Sequence, residues 1–323
     1  MFTKDDGPAI FPALKSLFIG DIVISTTNYV NLITMCPVLE ELFIRNDGDN
    51  PPSWIRFLDS YSLKRLVIHY HVPKYREVYE DKVMVIATNL TYFEYSGYVS
   101  RYYILSKMPS LVEAKLDLRL WESTICYDDD YEDGYLSVNG FNVIFGNTTF
   151  LLDDISRNVK TLHLSPHSLE AILFCCEYIR VFENLLTLSF ESDKDKGWHF
   201  VPRLLKRAPN LQTLVIKGLI HRVTGRCGDV CPCLFRTKKH NNKVKESVSK
   251  KSCLPTLGVK VLEISGYGGT RREIQQMRHF LGNLKCLELV KIGVVQHVAD
   301  NKYLRRNLLS LPRLSSKCNI QFF

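Results

Sequence analysis

The sequence predicts a single right-handed α/β solenoid, with parallel strands lining one side and helices the other. Three observations predict it. First, one phrase recurs: "CPVLEELFIRN" at 36–46, "MPSLVEAKLDL" at 108–118, "FENLLTLSFES" at 182–192, "APNLQTLVIKG" at 208–218 and "LGNLKCLELVK" at 281–291. Second, the later apolar residues of each phrase alternate with polar ones. Leu214 and Ile216 interleave with Thr213, Val215 and Lys217, the period of a strand with one buried face. Third, the preceding segment has helical spacing, as Phe200, Leu204, Leu205 and Ala208 do in "HFVPRLLKRAPN". One such unit cannot bury its apolar face, whereas stacked units can.

The copies begin at Leu14, Leu39, Leu63, Leu90, Leu111, Val159, Leu185, Leu211, Val259 and Leu284. The steps are 25, 24, 27, 21, 48, 26, 26, 48 and 25 residues, mostly within the leucine-rich-repeat period of roughly 20–29. The two doubled steps hide a degenerate copy or carry insertions, at about 121–150 and 221–251. Helices are expected in "TTNYVNLITMCP", "HFVPRLLKRAPN" and "REIQQMRHFLGN". Pro or Gly near each end stops them. Thr270 and Glu273 have the spacing of a capping box at the start of the last of these. Regular leucine-rich repeats carry Asn or Cys eight residues after the first Leu. Here the first four copies hold Ile22, Asp47, His71 and Tyr98 there, so irregular repeats with variable turns are expected.

At 46% hydrophobic and 24% charged residues, 323 residues can bury a long core. No apolar run approaches the roughly 18 residues of a membrane helix, and "MFTKDDGPAI" lacks a signal-peptide core. The expectation is a cytoplasmic or nuclear protein without membrane contact. The ten cysteines then read as reduced thiols. The net charge of +8 comes mostly from 235–251, which carries seven Lys/Arg and one Glu. That run reads as a solvated loop or a nuclear-import patch. No aromatic residues interleave with its basic ones, which argues against a nucleic-acid platform. The acidic stretch "WESTICYDDDYEDGY" (121–135) lacks calcium-loop spacing and reads as solvated.

Four residues in one insertion, Cys227, Cys231, Cys233 and His240, are of metal-ligating type. Their C-x3-C-x-C spacing is not the paired C-x2-C of a strong zinc signature, so the reading is incidental thiols and no metal. "SGYGGTRREI" lacks the Gly-Lys-Ser/Thr of a phosphate loop, and neither G-x-S-x-G nor H-E-x-x-H occurs. The chain is read as a non-enzyme without cofactor.

The last third is more specific. "NLLTLSF", "GW…LLKRAPNLQTLVI", "VKVLEISGYGG" and the ending "PRLSSKCNIQF" resemble the plant F-box/leucine-rich-repeat proteins with a C-terminal FBD domain. The resemblance implies a repeat region over 1–251 and an FBD-like segment over 252–323 that continues the stack. It implies a protein-binding module, the substrate-recognition part of a ubiquitin-ligase adaptor whose F-box docks a Skp1-type partner. The first repeat-like segment begins at residue 11, so no F-box is expected in this sequence. The alternative is a stand-alone scaffold or decoy that recruits no ligase.

For the unknown protein partner, alternation selects a face. Flanking the buried apolar pairs are Phe18, Phe43, Arg45, Val67, His69, Tyr92, Glu94 and Lys115, and further along His163, Val215, Lys217, Glu263 and Glu288. Aromatics and Arg anchor interfaces most often. A Phe18–Phe43–Val67–Tyr92 row is expected to form an exposed apolar stripe.

Overall fold

The computed structural model describes residues 10–22, 24–48, 57–70, 82–100, 102–105, 108–120, 137–138, 141–142, 146–233, 253–295 and 301–323. The acidic stretch 121–135, the basic run 235–251 and His240 lie outside the described residues. Two compact units are present. One comprises Met1–Val159 with Phe174–Tyr178, the other Lys160–Leu173 with Ile179–Phe323.

In the first unit the repeat strands are β1 (Ser16–Gly20), β2 (Glu41–Asn46), β4 (Arg65–Tyr70), β6 (Tyr92–Tyr98) and β8 (Glu113–Arg119), parallel and adjacent in that order. Each strand is locked before it starts. The Glu40 N–H donates to Lys15 O, Lys64 N–H to Glu40 O and Thr91 N–H to Lys64 O, all at 2.8 Å. These bonds leave one alternation phase: Leu42, Ile44, Leu66, Ile68, Phe93, Tyr95, Ala114 and Leu116 are all at most 1% exposed.

The outer side of this unit departs from the expected helices. Between β1 and β8, the one helix among the described residues is α1 (Thr26–Thr34), between β1 and β2. The next three outer elements are strands: β3 (Phe57–Asp59), β5 (Lys82–Ile86) and β7 (Tyr102–Leu105), a second parallel sheet in that order. "KVMVI" shows why. Val83 and Val85 bury at period two, and β-branched side chains suit a pleated surface better than a helix. After β8 come a two-residue antiparallel pair, β9 (Ser137–Val138) and β10 (Phe141–Asn142), and α2 (Thr149–Ser156).

Where regular repeats place an asparagine ladder, this unit packs tyrosines. The rings of Tyr70 and Tyr98 meet edge-on at 5.5 Å, those of Tyr95 and Tyr103 at 6.3 Å, and the Tyr70 and Tyr95 hydroxyls share a hydrogen bond. Gly97 is glycine because a Cβ there would lie 2.5 Å from the Tyr70 ring.

The second unit stacks β11 (Thr161–Leu164), β12 (Thr187–Glu191), β13 (Thr213–Lys217), β14 (Val261–Tyr267), β15 (Leu289–Val294) and β16 (Asn319–Phe322) in parallel. Its outer elements are helical: α3 (Pro166–Cys175), α4 (Val201–Leu205), α5 (Arg271–Asn283) and α6 (Asn301–Leu309), with 3-10 turns at Gly228–Val230 and Leu254–Thr256. The capping box of α5 forms as read, with the Thr270 hydroxyl accepting from Glu273 N–H and the Glu273 carboxylate accepting from Thr270 N–H.

One repeat sits in a different phase from the sequence reading. Leu284, Leu287 and Leu289 match the repeat, but so do Leu287, Val290 and Ile292, and the second set is the one used. Leu289 pairs with Val261, the Glu288 N–H donates to Lys260 O at 2.8 Å, and Val290 and Ile292 are fully buried. Glu288 therefore precedes the strand, and Lys291 takes the face position beside Glu263. The strand β16, whose repeat start is the polar Lys317, escaped the leucine pattern altogether.

Candidate functional site

The register of the first unit builds its face in three rows. The first runs Ser16, Glu41, Arg65, Tyr92, Glu113; the second Phe18, Phe43, Val67, Glu94, Lys115; the third Gly20, Arg45, His69, Ser96, Asp117. All eight predicted face residues thus share one surface, with one rearrangement. Tyr92 does not continue the Phe18–Phe43–Val67 row; Glu94 does, and Tyr92 lies one row earlier beside Arg65. The strand β6 carries "YFEY", and burying Phe93 and Tyr95 places Tyr92 and Glu94 together on the face. The apolar stripe is correspondingly shorter than expected. Phe18 is 66% exposed and Phe43 half-buried, whereas Val67 is covered to 8%.

Glu94 is the electrostatic centre of the face and is 9% exposed. Its Oε1 accepts from His69 Nε2 at 3.0 Å and from Lys115 Nζ at 2.7 Å, and its Oε2 from the Tyr92 hydroxyl at 2.5 Å. The His69 hydrogen bond leads in holding its carboxyl well below the usual carboxylate range. The bonds from Lys115 and Tyr92 add to this, against the desolvation that pushes the other way. Burial first, then the bond to this carboxylate, push the Tyr92 hydroxyl up to about 12. Arg65, which sequence reasoning passed over, lies 3.7 Å from the Tyr92 ring centre and 5.8 Å from that of Phe43, a cation–π bridge between the first two rows. Arg45 is paired with Asp47 at 2.6 Å at the rim. The arrangement offers an aromatic edge at Phe18 and Phe43, a guanidinium beside it, and a carboxylate whose side chains are already immobilised. This suits it to bind another protein's surface.

In the second unit the matching rows are plain. Thr161, Thr187, Thr213 and Val261 form one, and His163, Ser189, Val215, Glu263 and Lys291 another. Its charges are paired across strands, Lys217 with Glu191 at 2.7 Å and Lys291 with Glu263 at 3.7 Å.

The predicted metal candidates fall in the segment after β13. Cys227, Cys231 and Cys233 are each at most 3% exposed, and their thiols are in mutual hydrogen-bonding contact. The nearby histidine is His221, buried to 6%. Ligand atoms of His221, Cys227 and Cys231 lie within 4.8 Å of one another. The bonds from Cys227 and Cys231 hold the Cys233 thiol below the usual thiol range, and burial lowers His221 toward its neutral form. Cys253 stands apart. Its thiol donates to Asp229 Oδ1 at 3.1 Å, and burial pushes it up to about 12. The turn that delivers Cys227 needs Gly228, at φ +59° with Pro202 Cγ 2.8 Å from where a Cβ would lie.

Comparison with known proteins accounts for both units together. The chain is similar to three Arabidopsis thaliana proteins over almost its whole length. It is 50% identical to the F-box protein At1g64540 over 98% of this chain and 69% of the relative. It is 50% identical to the F-box/LRR-repeat protein At1g48400 over 97% and 66%, and 47% identical to the F-box/LRR-repeat protein At5g35995 over 98% and 68%. The chain belongs to the F-box/LRR-repeat family. No family model and no solved structure matches it.

This F-box/LRR chain spans about two thirds of the length of those relatives. Its parallel ladder is the leucine-rich-repeat part of the family name. Arg65 and His221 are the two site residues that the repeat pattern did not select. Arg65 was readable as the residue two after Leu63, in line with Tyr92. His221 had no spacing signal, because the chain between it and Cys227 is irregular.

Proposed function

We propose that this chain is the protein-recognition part of an F-box/LRR protein, and that the β1–β8 face of the first unit holds the partner. The observation that carries the proposal is the exposed Phe18 beside half-buried Phe43 on strands whose neighbouring charges are already paired. A partner that covers these rings gains apolar burial without having to break the Glu94 cluster. In the whole protein, the F-box that names the family would recruit a Skp1-type adaptor and so present the bound partner to a ubiquitin ligase. The chain itself acts in the cytoplasm or nucleus by binding, not by catalysis.

The test compares affinity capture from plant extract with three baits, quantified by mass spectrometry. They are the wild type, the double variant Phe18→Ala/Phe43→Ala, and a second-unit control, Thr187→Ala/Thr213→Ala. Partners dependent on the face should weaken by about thirtyfold with the double variant, the equivalent of the roughly 2 kcal/mol hot-spot threshold. The control should retain them. A captured set lost with the threonine variant and kept with the phenylalanine variant places the interface elsewhere.

A further inference from the structure

Outside the β1–β8 face, buried thiols and an imidazole meet in the segment that follows β13. Its cysteines and histidine come from a stretch of irregular chain, and each is tied to a different neighbour. His221 lies flat on the Trp198 indole, with ring centres 4.0 Å apart and planes 16° apart. Its Nδ1 is 3.2 Å from Leu219 O. That carbonyl can only accept, so Nδ1 carries the proton and Nε2 presents its lone pair. Nε2 points at Cys231 Sγ, 3.2 Å away. An imidazole pinned through its outer nitrogen with the inner one aimed at thiols is the usual support of a metal-bound histidine.

The sulfurs are held in the same manner. Cys231 Sγ accepts from the Cys233 N–H at 3.4 Å. Thr224 Oγ1 lies 4.0 Å from Cys227 Sγ. The frame around them is fixed. Gln276 Nε2 donates to Val230 O at 2.7 Å, His279 Nε2 lies 2.6 Å from Asp229 O, and Asp229 accepts from Leu254 N–H at 3.1 Å. A cavity of ≈ 30 Å³ borders His221, Cys231, Cys233, Arg272 and Gln276, more than the space of one water-sized probe.

We propose that His221, Cys227 and Cys231, whose ligand atoms lie within 4.8 Å of one another, hold a structural zinc ion, with Cys233, outside that group of three, closing on it as the fourth ligand, and that the ion cross-links this segment where it packs on Trp198 and α5. Three sulfurs and one nitrogen are a tetrahedral set for zinc. All four positions are filled by protein, as in a structural rather than a catalytic site. As each Zn–S bond forms, the cysteine proton leaves to solvent. The loaded centre carries one net negative charge, and Arg272 on the cavity wall offsets it. Cys253 is excluded because Asp229 holds its thiol proton. His199 is excluded because its Nε2 is taken by Thr224 Oγ1.

The experiment uses the full chain purified without chelator. Atomic emission should find zinc in stoichiometric amount. Replacing it with cobalt should give thiolate-to-cobalt charge-transfer absorption and tetrahedral d–d bands. Native alkylation mapped by mass spectrometry should find Cys227, Cys231 and Cys233 protected, and reactive once a chelator is added. His221→Ala and Cys231→Ser should lose the metal, His221→Cys should keep it, and His199→Ala should keep it. Folded wild-type chain without zinc and without cobalt bands overturns the proposal, as does zinc retained by both His221→Ala and Cys231→Ser. The cobalt and alkylation measurements use the wild-type chain, so they decide the matter even where a variant fails to fold.

Discussion

The two units solve the same packing problem with different outer layers. Inside, they are alike: Leu42, Ile44, Leu66 and Ile68 in the first, and Leu214, Ile216, Leu262 and Ile264 in the second, are all at most 1% exposed. Outside, the first unit lays down β3, β5 and β7, while the second lays down α4, α5 and α6. A parallel ladder is indifferent to its outer element provided that element buries one apolar stripe. Val83 and Val85 do so at period two, and Gln276, Met277, Phe280 and Leu281 at the spacing of a helix. Their faces differ more. The first unit concentrates aromatic rings and a buried carboxylate there, whereas the second shows threonines and paired charges and invests its aromatic and sulfur chemistry in the irregular segment after β13. The proposed recognition face and the proposed zinc site thus fall in separate units.

That division can be tested from its strongest element downward. Trp198 is 1% exposed, packs edge-on against Phe190 at 5.3 Å and beneath His221, and donates through Nε1 to Ser192 Oγ at 3.1 Å. Trp198→Ala should cost about 3–5 kcal/mol of unfolding free energy in chemical denaturation, the range for deleting a buried large aromatic. A loss below about 1 kcal/mol would mean that the second unit does not depend on its outer layer.

Glu94→Gln attacks the first unit's face and should cost about 1–3 kcal/mol, since it leaves His69, Lys115 and Tyr92 with a neutral partner. The pH dependence has a definite sign. The Glu94 carboxyl is depressed in the folded chain, so its contribution is present above the unfolded value of about 4.3. It is lost as pH falls through the lower folded value. The gap between wild type and variant should therefore close as the solution is acidified below about pH 4. Denaturation midpoints across that window check this, and a gap that widens toward acid contradicts the Glu94 assignment.

Thr270→Ala removes the cap of α5 and should cost about 1 kcal/mol. Phe18→Ala should change stability by no more than about 0.5 kcal/mol, because its ring is 66% exposed. If it destabilises the chain as much as the cap does, the ring belongs to the fold and not to an interface.

Much of this architecture was legible in the residues alone. The repeat, its strands and the buried alternation follow from local spacing, because a strand with one covered face repeats every two residues wherever it sits. The capping box at Thr270 and Glu273 was legible for the same reason: donor and acceptor are three residues apart in a helix start. The outer strands β3, β5 and β7 were not. Short stretches such as "FLD" and "YYIL" carry too few residues to separate period two from a helical period, and the choice is made by the neighbouring strand they pair with. The phase of β15 was ambiguous because Leu284–Leu287–Leu289 and Leu287–Val290–Ile292 satisfy the same pattern, and only the bond from Glu288 to Lys260 separates them. The row order of the face, with Glu94 and not Tyr92 beside Val67, depended on inter-strand register. The meeting of His221 with Cys227, Cys231 and Cys233 depended on how an irregular segment folds against Trp198 and α5. The amino-acid sequence by itself determined which side chains are buried in the repeats where a single phase fits the pattern, since that is a matter of spacing along one chain. Tertiary structure alone decided which side chains become neighbours across repeats, since that is set by hydrogen bonds and packing between segments whose separation along the chain carries no periodic signal.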